Sequence, residues 1–223
     1  MQLFADRADA GRQLAGLLAP YADDPDIVVL ALPRGGVPIG YEIARRLHAP
    51  LDVYVVRKLG VPGHEELAMG ALASDGTCVL DDDLIASLRI EASALDDVVR
   101  REVDELKRRE LAYRVARPEP QIRGKTVIVV DDGLATGATM RAAAMALRRR
   151  EPAAIVTAVP VAASRTVAAL RGAVDRVVCV RTPEPFHAVG LYYADFDQTT
   201  DEEVRRLLSE AARPNRAAGE RVV

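Results

Sequence analysis

Two adjacent carboxylates, Asp131 and Asp132, stand directly before a run of small and hydroxylated residues, Gly133, Leu134, Ala135, Thr136, Gly137, Ala138 and Thr139. Paired acids repel a phosphate but accept hydrogen bonds from hydroxyls or ligate a cation. The run after them does the reverse. Its small residues let backbone N–H groups converge on an anion, and Thr136 and Thr139 add hydroxyl donors. A helix-prone stretch from Met140 to Arg150 would aim the positive end of its dipole at the same place. A ligand with a vicinal diol beside a phosphate, as in a ribose 5-phosphate, satisfies both halves. A second anion-binding candidate is Pro33-Arg34-Gly35-Gly36, where adjacent glycines free the backbone and Arg34 offers a fork of donors. A third is Arg57-Lys58, and Lys58 is one of only three lysines among 30 basic residues. A fourth cluster is aromatic. Four of the nine Phe and Tyr residues (Phe186, Tyr192, Tyr193 and Phe196) fall within eleven positions and could stack on a planar base.

Alternating elements must position these groups. Val127 to Val130 is a β-branched run that reads as a buried strand ending at the acids. Ile27 to Leu32 reads as a strand ending at the Arg34 loop, followed by a helix from Val37 to His48. Leu51 to Val56 is a further strand, and 57–70, rich in Gly, Pro and charge, reads as a mobile loop. Residues 71–80 suggest a hairpin turning at Ser74-Asp75-Gly76. Residues 81–117 suggest one or two charged helices. Strands at 154–159 and 174–180 with a helix at 164–172 complete βαβ units and hence a parallel sheet. Thr200 with Glu203 marks the start of a last helix. In an open parallel sheet, ligands collect at the carboxyl ends of strands, where the acids and Arg34 both lie.

Composition sets limits. The chain has 223 residues, 49% hydrophobic content, no Trp and a net charge of -3. That balance argues against a general nucleic-acid binder. Cys78 and Cys179, far apart in apolar runs, read as buried thiols rather than a disulfide or zinc site. No stretch is apolar enough for a membrane span, so a cytoplasmic location is expected.

The segment Val127 to Thr139 resembles the 5-phosphoribosyl-1-pyrophosphate (PRPP) motif of type I phosphoribosyltransferases: four apolar residues, two acids, then Thr-Gly-x-Thr. The resemblance covers roughly residues 26–200. It implies an α/β type I phosphoribosyltransferase fold, a mainly parallel sheet flanked by helices with a small hood. Residues 1–212 would form a single domain, with a core at about 26–180, a hood at 181–200, a charged helical insertion at about 81–117 and a disordered tail at 213–223. The implied reaction is Mg2+-dependent transfer of ribose 5-phosphate from PRPP to a nitrogenous base, with release of pyrophosphate, in nucleotide salvage. The alternative is a non-catalytic sensor on the same fold.

Roles follow residue by residue. Asp131 and Asp132 would hold the ribose hydroxyls and act near the metal. Gly133, Leu134, Ala135, Thr136, Gly137, Ala138 and Thr139 would bind PRPP. Arg34, Gly35 and Gly36 resemble the family's pyrophosphate loop, in which a strained or cis non-proline peptide turns an amide toward pyrophosphate. Arg57 and Lys58 resemble the start of a closing loop in orotate enzymes, with Lys58 a catalytic candidate. In the hood-like stretch Phe186 would stack on the base, Ala188 and Val189 would read its edge, and Asp195 would face the metal. Ala135 departs from the 6-oxopurine enzymes, which carry an acid there, so the base stays unassigned. The expected assembly is a homo-oligomer, taken as a dimer, with PRPP and a base as its small-molecule partners and no nucleic acid or membrane.

Overall fold

The computed structural model describes residues 3–113 and 120–213. Its elements run α1 (Arg7–Leu17), β1 (Ile27–Ala31), α2 (Gly36–Leu47), β2 (Leu51–Val53), β3 (Val56–Val61), β4 (His64–Ala73), β5 (Cys78–Leu80), α3 (Asp82–Ser87) and α4 (Ala92–Tyr113). After these come β6 (Thr126–Val130), α5 (Ala138–Arg148), β7 (Ala154–Val161), α6 (Ser164–Leu170), β8 (Arg176–Arg181) and α7 (Asp201–Ala211). Five strands form an all-parallel sheet in the order β2-β1-β6-β7-β8. The expected α/β class with helices flanking a parallel sheet is what the chain adopts.

Both faces of this sheet are covered, which is why its strands are continuously apolar rather than alternating. In β1 and β6, Val29, Ala31, Ile128 and Val130 pack toward α1, α2 and α7, through Leu14, Ile39, Ile43 and Val204. Their neighbours Val28, Leu30, Val127 and Val129 point the other way, onto Met140, Ala143, Ala144 and Leu147 of α5. The two-residue period of a strand thus divides one run of β-branched residues between two cores. Register then sets the site. Ala31 of β1 lies beside Val130 of β6, so the segments that follow the two strands begin side by side.

The largest departure from expectation lies at 57–70. This stretch is not an irregular loop. It forms β3 and β4, which pair antiparallel and turn at Pro62-Gly63, and β5 adds a third strand through the Ser74–Gly76 turn. The strand expected at 51–56 is accordingly split. Leu51–Val53 stays in the parallel sheet, and Val56 opens the second one. Gly60 has a steric reason. At the bulge after Leu59, a Cβ on Gly60 would sit 2.6 Å from the Glu65 carbonyl oxygen. Val56, Ala71 and Ala73 of this small sheet pack with α5, and Leu59, Val61, Met69 and Leu72 pack with Val98, Leu106 and Tyr113 of α4.

The charged region is therefore two helices, α3 and α4; residues 114–117 lie outside the described residues, as does the expected tail apart from Arg213. An ion pair between Arg57 and Glu102, 2.7 Å, fixes α4 to β3. A second, between Asp75 and Arg150 at 2.9 Å, fixes the hairpin turn to the residues after α5. Cys78 is exposed rather than buried, because it sits at the start of the short strand β5, while Cys179 is half-buried. No helix among the described residues is long and apolar enough to cross a membrane.

Candidate active site

The acids and the Arg34 loop meet at the carboxyl ends of β6 and β1. Asp131 and Asp132 follow Val130 directly, and the Asp132 backbone N–H donates to the Asp131 carboxylate at 2.9 Å. Burial, together with the charge of Asp132, pushes the Asp131 carboxyl well above the usual range. Burial also raises Asp132, held back by a hydrogen bond and charge from Arg7. Both acids keep some surface open to the crevice while protein fills most of the volume around them.

Gly35 packs against this pair. A Cβ there would overlap the Asp132 carboxylate, 2.6 Å from its Cγ, and one on Gly36 would meet the Val130 carbonyl oxygen at 2.5 Å. The two glycines are therefore required by close approach of the two strand ends. The Pro33–Arg34 peptide is cis, the kind of linkage that the resemblance implies at this loop. The Arg34 guanidinium reaches Asp201 at the start of α7, at 3.5 Å. Tyr113 of α4 donates to the same carboxylate at 3.0 Å.

The loop after the acids is anchored from beneath and open above. Leu134 is buried, and its backbone bonds both ways to β7 and its end, through Leu134 N–H to Val161 and Ala163 N–H to Leu134. So Leu134 contributes to the loop as an anchor. The Thr166 hydroxyl donates to the Ala135 carbonyl at 2.6 Å, and Arg141 donates to the Thr136 carbonyl at 2.9 Å. Gly137 caps α5 with φ of +71°. Ala135, Thr136 and Thr139 are exposed, whereas Gly137 and Ala138 are buried. The first-turn amides of α5, which lack intrahelical acceptors, open beside these exposed residues, the arrangement an anion needs.

Arg7 is the site residue that sequence reasoning missed. It opens α1 after the N-cap Asp6. Its Nε and Nη2 donate to the Asp132 carboxylate at 3.0 and 2.9 Å. Its Nη1 donates to the Asp197 carbonyl at 2.6 Å, and its guanidinium lies 4.0 Å from the Phe196 ring centre. One side chain thus ties an acid of the strand end to the 182–200 segment. That segment is further tied by the Tyr193 hydroxyl, which donates to the Asp132 carbonyl at 2.7 Å, and by pairing of Phe4 with Tyr193. No spacing singles out Arg7 in a chain with so many arginines, and its partners lie 125 and 190 positions away.

The other candidates fall into different settings. Val189 packs against the acidic loop, where a Cβ on Gly133 would meet its Cγ1 at 2.5 Å. Phe186 is half-buried and stacks on Tyr192, ring centres 5.4 Å apart, and Ala188 is exposed beside it. Asp195 is exposed, and its carboxylate accepts from the Asp197 N–H at 3.0 Å. Among the described residues it joins no group of three or more metal-ligating side chains. Arg57 is engaged with Glu102, so it serves to seat α4. Lys58 lies mid-strand in β3 opposite Ala71, half-buried, in a paired hairpin rather than the irregular loop expected there.

Comparison with known proteins agrees with this geometry. Residues 6–196 match the phosphoribosyl transferase domain family. A protein from each of two strains of Mycobacterium tuberculosis, named provisionally as a phosphoribosyl transferase, is 48% identical over 219 residues. The match takes in 98% of this chain but 49% of theirs, so the chain spans about half the length of these curated relatives. The bifunctional protein PyrR of Chloroflexus aurantiacus is 39% identical over 114 residues, 49% of this chain and 56% of its own. The crystal structure of TT1426 from Thermus thermophilus superposes with a TM-score of 0.87 at 43% identity, covering 95% of this chain and all of that one. With its acidic pair, small-residue loop and glycine turn set at the ends of two neighbouring parallel strands, this chain belongs to the phosphoribosyl transferase domain family.

Proposed function

We propose that the chain transfers the ribose 5-phosphate unit of PRPP to a nitrogen nucleophile, most simply a nucleobase, and releases pyrophosphate. The observation that supports this reading is the packing of Gly35 against Asp132, which brings the acidic pair and the Arg34 loop together at neighbouring strand ends. Asp131 and Asp132 accept hydrogen bonds from the ribose 2- and 3-hydroxyls. The amides and hydroxyls of Ala135 to Thr139 hold the 5-phosphate, and Arg34 to Gly36 hold the pyrophosphate. The C1–N bond forms as the C1–O bond breaks, and the electron pair leaves with pyrophosphate. Catalysis of this kind rests on positioning and on charge stabilisation.

Mg2+ fits the donor set: two adjacent hard-oxygen donors whose mutual repulsion and burial hold Asp131 above its usual range. Asp131 and Asp132 are the residues that would hold it, and when bound it supplies positive charge to the pyrophosphate oxygens. The hood segment lies over the acids through Val189, which makes Phe186 and the 188–189 backbone candidates for the base. Ala135 offers no carboxylate there, so the acceptor's proton must leave by another route. The test is PRPP-dependent release of pyrophosphate across a panel of purine and pyrimidine bases. Release with one base class supports the transferase.

A second reading, a PRPP or nucleotide sensor, is favoured by one contact: Arg7 already engages Asp132 through two hydrogen bonds. PRPP binding with no turnover on any base would favour it.

A further inference from the structure

We propose that Arg108 and Arg109 of α4 complete a diphosphate-binding cavity with Arg34 and Gly35, so that the helical insertion supplies the second wall around the pyrophosphate group. This rests on the PRPP reading above and extends it to a helix to which the resemblance gives no role. A cavity of about 370 Å³ opens beside the Arg34 loop, within the range of small-molecule sites (~300–1,000 Å³). Among the described residues, four arginines line it, Arg7, Arg34, Arg108 and Arg109, together with Asp201. Carboxylates already pair with each of them, Asp132 with Arg7, Asp201 with Arg34 and Glu105 with both Arg108 and Arg109, so the guanidiniums exceed these partners by one and keep further N–H donors for an anion.

The two helix arginines share one acidic partner. Glu105 receives both Arg108 Nε and Nη2 at 2.8 Å and Arg109 Nε at 2.7 Å. These bonds use two of Arg108's five N–H donors and one of Arg109's. Tyr113 on the same helix and Arg34 share Asp201, which links the helix to the glycine loop. On its other side α4 is pinned to the hairpin sheet by Arg57 and Glu102. The stretch 57–70, expected as a loop, is instead part of a paired sheet against which this arginine-bearing helix packs.

Calorimetric titration with inorganic pyrophosphate tests this, with ribose 5-phosphate titrated in parallel and circular dichroism confirming the fold. Arg108→Ala/Arg109→Ala is expected to weaken pyrophosphate binding by at least ~10-fold, as loss of charge-assisted hydrogen bonds does, and to leave ribose 5-phosphate binding unchanged. Arg108→Ala alone, at a largely exposed position, should show part of the loss. Arg100→Ala, exposed elsewhere on α4 and paired with Asp97, should match the parent. Unchanged pyrophosphate affinity in the double variant overturns the proposal, as does equal loss of both ligands or a parent that does not bind pyrophosphate. If the arginine variants lose pyrophosphate but no base supports turnover in the parent, the cavity stands and the transferase reading falls. If a base supports turnover while pyrophosphate binding ignores the arginines, the transferase stands and the cavity falls.

Discussion

The two walls of the crevice are built on different length scales. The wall after β6 is one contiguous run, Asp131 to Thr139, whose chemistry is set by its own sequence and whose shape is set by backbone bonds to β7. The neighbouring wall, joined to it where Gly35 and Arg7 meet Asp132, is assembled from side chains that the fold gathers from afar: Arg7 from α1, Arg34 from the loop after β1, Arg108 and Arg109 from α4, and Asp201 from α7. A local wall offers a motif to be read. A gathered wall offers only residue types, and arginine is the commonest charged type in this chain. Moreover, the local wall stores repulsion between its two acids, whereas the gathered wall neutralises part of it through Arg7.

The sharpest way to break this contrast is at the seam. Gly35→Ala places a methyl group in the Asp132 carboxylate, so the loop or the acid must shift by a sizeable fraction of an ångström. A loss in kcat/KM of ~100-fold is expected, the usual scale for misplaced reacting groups. Steady-state kinetics with the active base checks it, and parent-like turnover would show that the two strand ends need not touch.

Next comes the tether. Arg7→Ala leaves a mostly buried carboxylate without its counter-charge and cuts the 182–200 segment from the strand end. Because the pair retains some exposure, a loss of about 2 kcal/mol is expected, below the ~3–5 kcal/mol of a fully buried pair. Urea denaturation measures it. Arg108→Ala/Arg109→Ala, by contrast, should leave the urea midpoint close to that of the parent, since those pairs are solvent-screened. Equal losses would erase the distinction between an arginine that holds the fold and arginines kept for a ligand.

A purely structural arginine gives the reference point. Asp75 is buried, which by itself raises its carboxyl. Hydrogen bonds from Thr77 and the pair with Arg150 outweigh that and leave it below the ordinary value. Asp75→Asn should cost about 1–2 kcal/mol at neutral pH. A carboxyl depressed in the folded state stabilises above its unfolded pKa, and the contribution disappears as pH falls through the folded value. The difference in stability between parent and Asp75→Asn should therefore shrink below about pH 4, as thermal melts from acid to neutral pH would show. A difference that persists at the acid end would rule out the charge as its source.

The smallest effect has the opposite sign. Asp131 is held above its ordinary range by burial and by Asp132, so its ionised form at neutral pH opposes folding. Asp131→Asn keeps an oxygen for the Asp132 N–H and removes the repulsion. A gain of about 1 kcal/mol is expected, readable as a higher denaturation midpoint. A loss would mean that the acids are not a store of strain.

Legibility in the sequence follows the same division. The parallel sheet, the helices around it and the small-residue loop after β6 are readable, because buried β-branched runs and small-residue helix starts declare themselves within a few positions. The stretch 57–70 is not. Its glycines look like signs of mobility, yet Gly60 is demanded by a backbone crossing that only the folded hairpin reveals. Lys58 and Arg57 change setting with it. Arg7, Tyr113 and Asp201 carry no signal, since the pairs they form span long stretches of chain: 125 positions for Arg7 with Asp132, 167 for Arg34 with Asp201 and 88 for Tyr113 with Asp201. Val189 meets Gly133 in a segment held to the strand end by Phe4, Tyr193 and Arg7, all distant in sequence.

The most direct measurement is calorimetric titration of Mg-PRPP into the parent protein and into Asp131→Asn/Asp132→Asn. The account predicts saturable binding by the parent and none by the double variant, which circular dichroism shows to be folded. Unchanged PRPP affinity in the double variant would contradict the assignment of the paired acids to the ribose diol, and with it the reading of the crevice as a PRPP site.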